Sequence, residues 1–475
     1  MLPSNSCIED TLKRSTENDS AQSSESKKSK IETTNEIDTS EDPHSQRLPK
    51  RNVVLYLSYC GDGYQGMQVN QNAKTIEGDL FKALCQVGAI SKDNSSDQKK
   101  VQLQRAARTD KGVHAARQLV SLKMILEDKD IIQKLNSALP DQIRVWGYDR
   151  VIKSFNPKNF CDSRIYEYLI PTYAFMPISS DTKQFIASAP LEQRKLYFFG
   201  NPLLSKKESK DTSNPPTFSP SQPPSEETPT KLSTDIEDTE NPAENPAEKS
   251  NIKGNPYFSS ESFINRATEL RSSFRISPDL LSRVKSCFAN YVGTHNFINF
   301  TVTKGTTGNN SSRFIKSISV SDPLLLGDGE WLSIKIHGQS FMLHQIRKMI
   351  GLVINIARTN SSPSLVKEIL SESKKSNSAR FNIPKAPGFG LLLDEPSFAN
   401  YNKKLDSLKK NPNLERPHID FQPYFSQIES FKSEFIYSKI IDYEKKKGSF
   451  LFWSEMTDSL PEEFPFLYNP IEIKP

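Results

Sequence analysis

Two windows of this chain are nearly empty of the side chains from which a core is built. Residues 1–50 hold no aromatic residue, and residues 201–250 hold one, Phe218, among nine prolines; the remaining 375 residues carry 44 of the 45 aromatics. Such windows cannot bury enough apolar surface to offset the entropy of ordering their backbone, so both are expected to be disordered. The fold must then be assembled from two separated stretches, one beginning near Arg51 and one resuming after an insert at about 201–256. The same split changes the charge. The whole chain is +5, but outside the two windows 50 Lys and Arg face 37 Asp and Glu, a surplus of 13. A basic folded part of that kind has polyanions as its natural partners.

Several classes are excluded at once. The longest apolar run, residues 349–357, is broken by Asn355 and is far shorter than a membrane span, so no membrane partner is expected. The first residues lack an apolar h-region, and ten acids among the first 50 argue against a mitochondrial transit peptide. The five cysteines are scattered, with no Cys-x-x-Cys pair and no Cys/His ligand spacing. That pattern points to a reducing compartment and to no structural metal site. Lys27-Lys28-Ser29-Lys30 is a short basic cluster of the kind found in nuclear addresses. The nucleus is the expected location, with an additional mitochondrial or cytoplasmic pool left open.

Hydrophobic periodicity predicts strands at 53–59, 118–124, 143–151, 164–171, 315–321 and 331–337, and helices at 76–86, 131–139, 278–292, 341–357 and 427–446. In the helix at 341–357, Met342, Ile346, Met349, Val353 and Ala357 form one apolar stripe, and His344, Arg347 and Lys348 a polar face opposite it. Residues 102–108 lead into a turn at Asp110-Lys111-Gly112, which makes a hairpin with 118–124. Strands and helices mix without βαβ regularity. The expected class is α+β with a mostly antiparallel sheet.

Three clusters are candidates for chemistry. Gly61-Asp62-Gly63-Tyr64-Gln65-Gly66 has the G-x-G-x-x-G spacing of a dinucleotide-binding turn. Residues 67–74 are polar and not helical, and no second parallel strand follows, so the glycines read as a turn and no nucleotide cofactor is expected. Arg105-Ala106-Ala107-Arg108-Thr109-Asp110-Lys111-Gly112-Val113-His114-Ala115 packs two arginines, an aspartate, a lysine and a histidine into one strand-to-turn corner. It reads either as a solvated hairpin or as a carboxylate held ionised beside a guanidinium, which nucleophilic catalysis requires. Residues 337–351 place a strand end, a turn and a helix start in succession, with Arg347 either solvated or pairing an anion. Residues 291–300 alternate aromatic and polar, which core packing explains as well as any ligand does.

Together these stretches resemble the TruA family of tRNA pseudouridine synthases, and within it the eukaryotic branch that modifies several tRNA positions. The resemblance is carried by residues 59–68 with Thr75-Ile76-Glu77, by Ala107–Ala115, by Cys161-Asp162-Ser163-Arg164-Ile165-Tyr166-Glu167-Tyr168, and by 338–351 with Pro387-Gly388-Phe389-Gly390-Leu391. It spans about 51–200 and 256–402. Ile298 stands where a more polar residue is expected, which touches only a peripheral contact. The resemblance implies two ferredoxin-like (RRM-like) halves whose sheets join in a mostly antiparallel whole with a central cleft. The N-terminal catalytic half would be 51–161 and the C-terminal half 162–402, containing an insert that loops out, followed by a helical extension at 403–475.

The activity implied is isomerisation of uridine to pseudouridine in tRNA, with snRNA or mRNA as open additions, by a monomer that needs no cofactor and no metal. By the same resemblance Asp110 is the nucleophile, attacking C1′ or C6. Arg347 would pair with Asp110 and keep it charged. Tyr166 would stack on the flipped base and serve in deprotonating C5. Arg108 would fill the space that the base vacates, and His114 and His344 would complete the substrate-binding set. In the helix at 427–446, Phe431, Phe435, Ile436, Ile440 and Ile441 are expected to dock on the second half, with Lys432, Lys439 and Lys445–Lys447 widening the RNA surface. Two other classes stay in view. A non-catalytic RNA-binding protein would keep its whole function without Asp110, and an enzyme of free nucleotides would be insensitive to salt.

Overall fold

β1 (Lys50–Tyr59) is apolar or aromatic at most positions from Val53 on, which suits a strand covered on both faces. In the computed structural model, which describes residues 48–70, 72–199, 260–302, 310–372, 381–408 and 416–468, it is the second strand of a ten-stranded sheet. From one edge the order is β4 (Ile143–Arg150), β1, β3 (His114–Ile125), β10 (Leu391–Ser397), β5 (Ser163–Pro171), β9 (Gly329–Gly338), β7 (Ser312–Val320) and β6 (Gly293–Asn296). β2 (Gln104–Arg105) lies beside β3, and β8 (Leu324–Leu326) beside β9. The pairings are antiparallel except that of β3 with β10, where Leu392 faces His114 and Leu393 faces Ala115 in parallel register. The class is therefore α+β with a mostly antiparallel sheet, as the periodicity indicates. The tail 1–47 and the insert at 201–256 lie outside the described residues.

The predicted strands are β1, β3, β4, β5, β7 and β9, and the predicted helices include Ile76–Gln86, Ile131–Ala138 and Pro278–Ala289. Two differences have clear causes. β10 reads Leu-Leu-Leu-Asp-Glu-Pro-Ser and shows no alternation, because its leucines are buried on both faces at the centre of the sheet. The helix expected at 341–357 runs Gln345–Thr359 instead, because His344 stands at φ +60 and breaks the helical path before it. The apolar stripe of Ile346, Met349, Val353 and Ala357 is buried as expected. Lys348 leaves the polar face assigned to it: it is buried, and its ammonium donates to the carbonyls of Asn299 (3.4 Å) and Thr301 (3.3 Å). Tyr291, Phe297 and Phe300 are core residues with no exposed surface.

One face of the sheet is covered in two places. Ile76, Leu80 and Leu84 pack on Val53, Leu55 and Leu57, while Ile346, Met349 and Val353 share a core with Tyr168, Ile334 and Ile336. Across the opposite face runs the C-terminal helix. Phe431, Ile436 and Ile440 pack on Val54, Tyr56 and Leu119 as well as on Leu169, Trp331 and Leu392. The extension therefore spans strands from both ends of the sheet and does not dock on the second half alone.

Lys432 occupies the centre of that contact. The helices Phe425–Phe431 and Ser438–Lys447 are joined through a π-helical turn, Lys432–Tyr437, whose wider coil brings residues five apart towards one face. Lys432 and Tyr437 thereby both bind the Glu167 carboxylate. Lys432 is 3% exposed and also donates to Asp394 at 2.8 Å; Lys335 reaches the same carboxylate at 2.9 Å, and Arg117 lies 3.6 Å from it. Lys432 is therefore no part of an RNA surface. Lys439 is paired with Asp62 (2.9 Å) and Lys445 with Asp328 (3.4 Å).

Burial alone would raise the Asp394 carboxyl, but the Lys432 and Lys335 charges outweigh it and hold it at about 2. Burial would likewise lower the Lys432 ammonium, and Glu167 and Asp394 push it well above the usual lysine range instead. The contribution of Asp394 is fully present above its unfolded value of about 4 and is lost as pH falls toward 2; that of Lys432 is present below about 10. Lys432→Ala leaves Glu167 and Asp394 buried without their main cation and should destabilise the fold by about 3–5 kcal/mol. Lys445→Ala, at an exposed pair, should lose about 0–1 kcal/mol. Urea unfolding followed by tryptophan fluorescence separates the two, and equal losses would show that the buried cluster holds nothing together.

Candidate active site

The hairpin that carries Asp110 is built by its neighbours. Gln118 braces the β2 side, its Nε2 donating to the Ala107 carbonyl at 2.9 Å and its Oε1 accepting the Ala107 N–H at 3.3 Å. The buried Thr109 hydroxyl is hydrogen-bonded to Tyr59 Oη at 2.8 Å. The Met67 N–H donates to the Thr109 carbonyl (3.1 Å), and the Gly112 N–H to that of Tyr64 (3.2 Å). The glycines of Gly61-Asp62-Gly63-Tyr64-Gln65-Gly66 explain themselves here. A Cβ at Gly61 would stand 2.2 Å from the Val113 carbonyl oxygen, and one at Gly66, where φ is +111, 2.8 Å from that of Thr109. The motif is a seat for the Asp110 turn, on which the Asp110 side chain is 38% exposed.

Other elements bring the partners. Tyr166, on β5, sits where the two cores of this face meet and touches both. Its ring stands edge-on to Phe341 at 5.3 Å. Burial pushes its phenol up to about 12, with the Asp110 charge adding to that and Arg164 opposing it. The phenol is protonated at neutral pH. Arg347 leads the first turn of Gln345–Thr359; its Nε donates to the Ala386 carbonyl at 2.8 Å, and its guanidinium lies over Gly388. The ring placed against Asp110 is that of His344, whose Nδ1 is 3.6 Å from Oδ2. That Nδ1 is buried without a hydrogen-bond partner among the described residues. Burial, then the charges of Arg347, Lys385 and Lys348, depress the His344 imidazole to about 3, so it faces the carboxylate as a neutral ring.

His114 lies behind the site. Its Nδ1 accepts the Gly61 N–H at 3.0 Å and its Nε2–H donates to the Phe389 carbonyl at 3.1 Å, which fixes one neutral tautomer. Burial holds it at about 4. With both nitrogens engaged by backbone, His114 ties the glycine loop to the 387–390 loop. Arg108 is exposed at the rim. Sequence reasoning missed Glu77, a fully buried acid that pairs with Arg105 and accepts the Val69 N–H at 3.0 Å. Its signals were its place in the Thr75-Ile76-Glu77 stretch and an acid at the first turn of an otherwise apolar helix face. Among the described residues no cluster of His, Cys, Asp and Glu is placed to hold a metal ion. What the arrangement offers is a carboxylate at a turn, facing a protonated phenol and a neutral imidazole beside aromatic walls. That suits nucleophilic attack on a planar heterocycle or its sugar.

The comparisons agree with this chemistry. A family model described as tRNA pseudouridine synthase matches residues 288–399. The tRNA pseudouridine synthase 1 of Yarrowia lipolytica is 41% identical over 414 residues, covering 86% of this chain and 73% of the relative. That of Schizosaccharomyces pombe is 39% identical over 466 residues, covering 88% and 85%. The Pseudouridylate synthase 1 homolog of Mus musculus is 33% identical over 411 residues, covering 86% and 74%.

The two depressed histidines make the fold acid-sensitive. Both stay neutral in the folded chain and gain a proton near pH 6.5 when unfolded, so their contribution is present above pH 6.5 and is lost as pH falls toward 4 and 3. Each should add up to about 1.4 kcal/mol per pH unit to the acid slope of stability. His114→Asn should flatten that slope between pH 6 and 4.5, measured by urea unfolding at each pH. An unchanged slope would show that His114 titrates alike in both states.

Proposed function

This chain belongs to the tRNA pseudouridine synthase family that its motifs resemble, and we propose that it isomerises uridine to pseudouridine in tRNA with Asp110 as nucleophile. The observation that carries the assignment is the placing of Asp110 on a glycine-seated turn against His344, within electrostatic reach of Tyr166. The target uridine leaves its stack and enters the cleft, at an unstacking cost of a few kcal/mol recovered from contacts in the pocket. Its base stacks on Tyr166, which Phe341 supports from the edge. Asp110 attacks C1′ or C6, the detached uracil turns, and the bond re-forms through C5. On the C1′ route the new C5–C1′ bond displaces the Asp110 carboxylate, and on the C6 route that carboxylate leaves as the C5 proton is lost; Tyr166 serves in this deprotonation. Arg108, at the rim, fills the vacated stack, and Arg347 and His344 border the nucleophile from the helix start. His114 acts through the two loops it ties together.

The reading divides the fold into two ferredoxin-like halves, 51–161 and 162–402, followed by a helical extension, 403–475; the sheet order, with β4, β1 and β3 on one side of β10 and β5, β9, β7 and β6 on the other, supports the two halves. One chain supplies Asp110, Tyr166 and Arg347, which supports a monomer. The basic cluster at 27–30 supports a nuclear pool, and snRNA or mRNA uridines presented in loops meet the same chemical requirement as those of tRNA.

The test is tritium release from tRNA transcripts labelled at uracil C5, since pseudouridine formation must expel that hydrogen. Wild type should release tritium and Asp110→Ala should release none, while binding tRNA within about threefold of wild type. Tight binding by wild type without release, from a full set of tRNAs, would withdraw the assignment.

A further inference from the structure

A second concavity lies away from the cleft, where β1, β2 and β3 meet the segment at 151–156. It holds about 290 Å3 and is lined by Asn52, Gln102, Gln104, Ser121, Lys153 and Phe155 among others. The side chains of Asn52, Gln102, Gln104, Ser121 and Lys153 have no hydrogen-bond partner among the described residues. Polar side chains that converge on one hollow and bind nothing within the protein are groups kept for a ligand or for water. Gln102 is moreover held at φ +54, which residues other than glycine rarely adopt.

The chemistry of the lining narrows the ligand. Of the four carboxamides in the lining, Asn156 already accepts backbone N–H groups, and Asn52, Gln102 and Gln104 each offer a donor and an acceptor, the pattern needed to meet the edge of a nucleobase. Phe155, half-buried, gives the hollow one aromatic wall, suited to a base face. Lys153 supplies one cation, enough for a single phosphate and too few for a polyphosphate. Gln104 stands six residues before Asp110 in one continuous segment, so the hollow is at most about 20 Å from the nucleophile along that segment. We propose that this hollow is a second nucleobase subsite, which takes one unstacked base of the bound tRNA, remote from the target uridine, with the phosphate of that nucleotide on Lys153.

The inference rests on the tRNA reading above, and its test keeps the two apart. Gln104 and Lys153 are exposed, so Gln104→Ala/Lys153→Ala leaves the fold and the catalytic side chains in place. Base-edge chemical probing of bound tRNA should show wild type protecting one base besides the target, and the double variant leaving it reactive. The variant should bind full-length tRNA about tenfold more weakly, the loss of one amide-to-base contact. Its maximal tritium release should be unchanged, as should its affinity for a short stem-loop carrying the target uridine alone. Identical protection patterns, or equal loss of affinity for both RNAs, overturns the subsite while the synthase assignment stands. No release by wild type overturns the assignment itself.

Discussion

The join between β3 and β10 is two residue pairs long, Leu392 with His114 and Leu393 with Ala115, and the placing of Asp110 relative to Tyr166 depends on it. Asp110 hangs from the start of β3, whereas Tyr166, on β5, is reached only through β10. A few backbone hydrogen bonds, each worth about 0.5–1.5 kcal/mol net, could not by themselves fix two parts of a sheet against one another. Side chains reinforce the join on both faces. His114 links Gly61 to Phe389 on the cleft side. On the other side Arg117 of β3, Asp394 of β10 and Glu167 of β5 gather around Lys432.

That the back face is ionic and not apolar has a consequence for register. A buried ion cluster is often no more stabilising than well-packed leucines would be. It is far more particular about alignment. A slip of one residue between β10 and β5 would turn Asp394 or Glu167 to the opposite face and strand a charge in the core. Glu167 and Tyr166 are neighbours on β5 and point to opposite faces. Whatever fixes Glu167 against Lys432 on the back therefore fixes the Tyr166 ring on the front. The C-terminal helix, outside the catalytic cleft, thus sets its geometry through one lysine.

Much of this was legible in the residues. The hairpin around Asp110 announces itself by its Asp-x-Gly turn, and the stripe of Ile346, Met349 and Val353 by its period. What was not legible depends on partners distant in sequence. Gly61 and Gly66 look like a nucleotide-binding turn until the carbonyls of Val113 and Thr109 are placed against them. Lys432 looks solvated on an amphipathic helix, because a π-helical turn that redirects it leaves no mark in the hydrophobic pattern. Lys348 was assigned to a solvated face for a related reason: a period read from 341 onward misplaces the helix start by four residues, since nothing in the sequence marks His344 as left-handed. β10, central to the sheet, has no alternation to read.

The manner of holding Asp110 bears on its reactivity. Backbone contacts fix the turn that carries it. Thr109 and Gly112, on either side of Asp110, are fastened to Met67 and Tyr64, and the glycines let the two loops touch. Arg347 is tethered to Ala386, and the ring against the carboxylate is neutral. A neutral imidazole brings no positive charge of its own to the Asp110 carboxylate, and the Arg347 and Lys348 charges that help keep it neutral come from its own helix. The glycine seat thus aims the Asp110 turn, and the helix start sets the field around it.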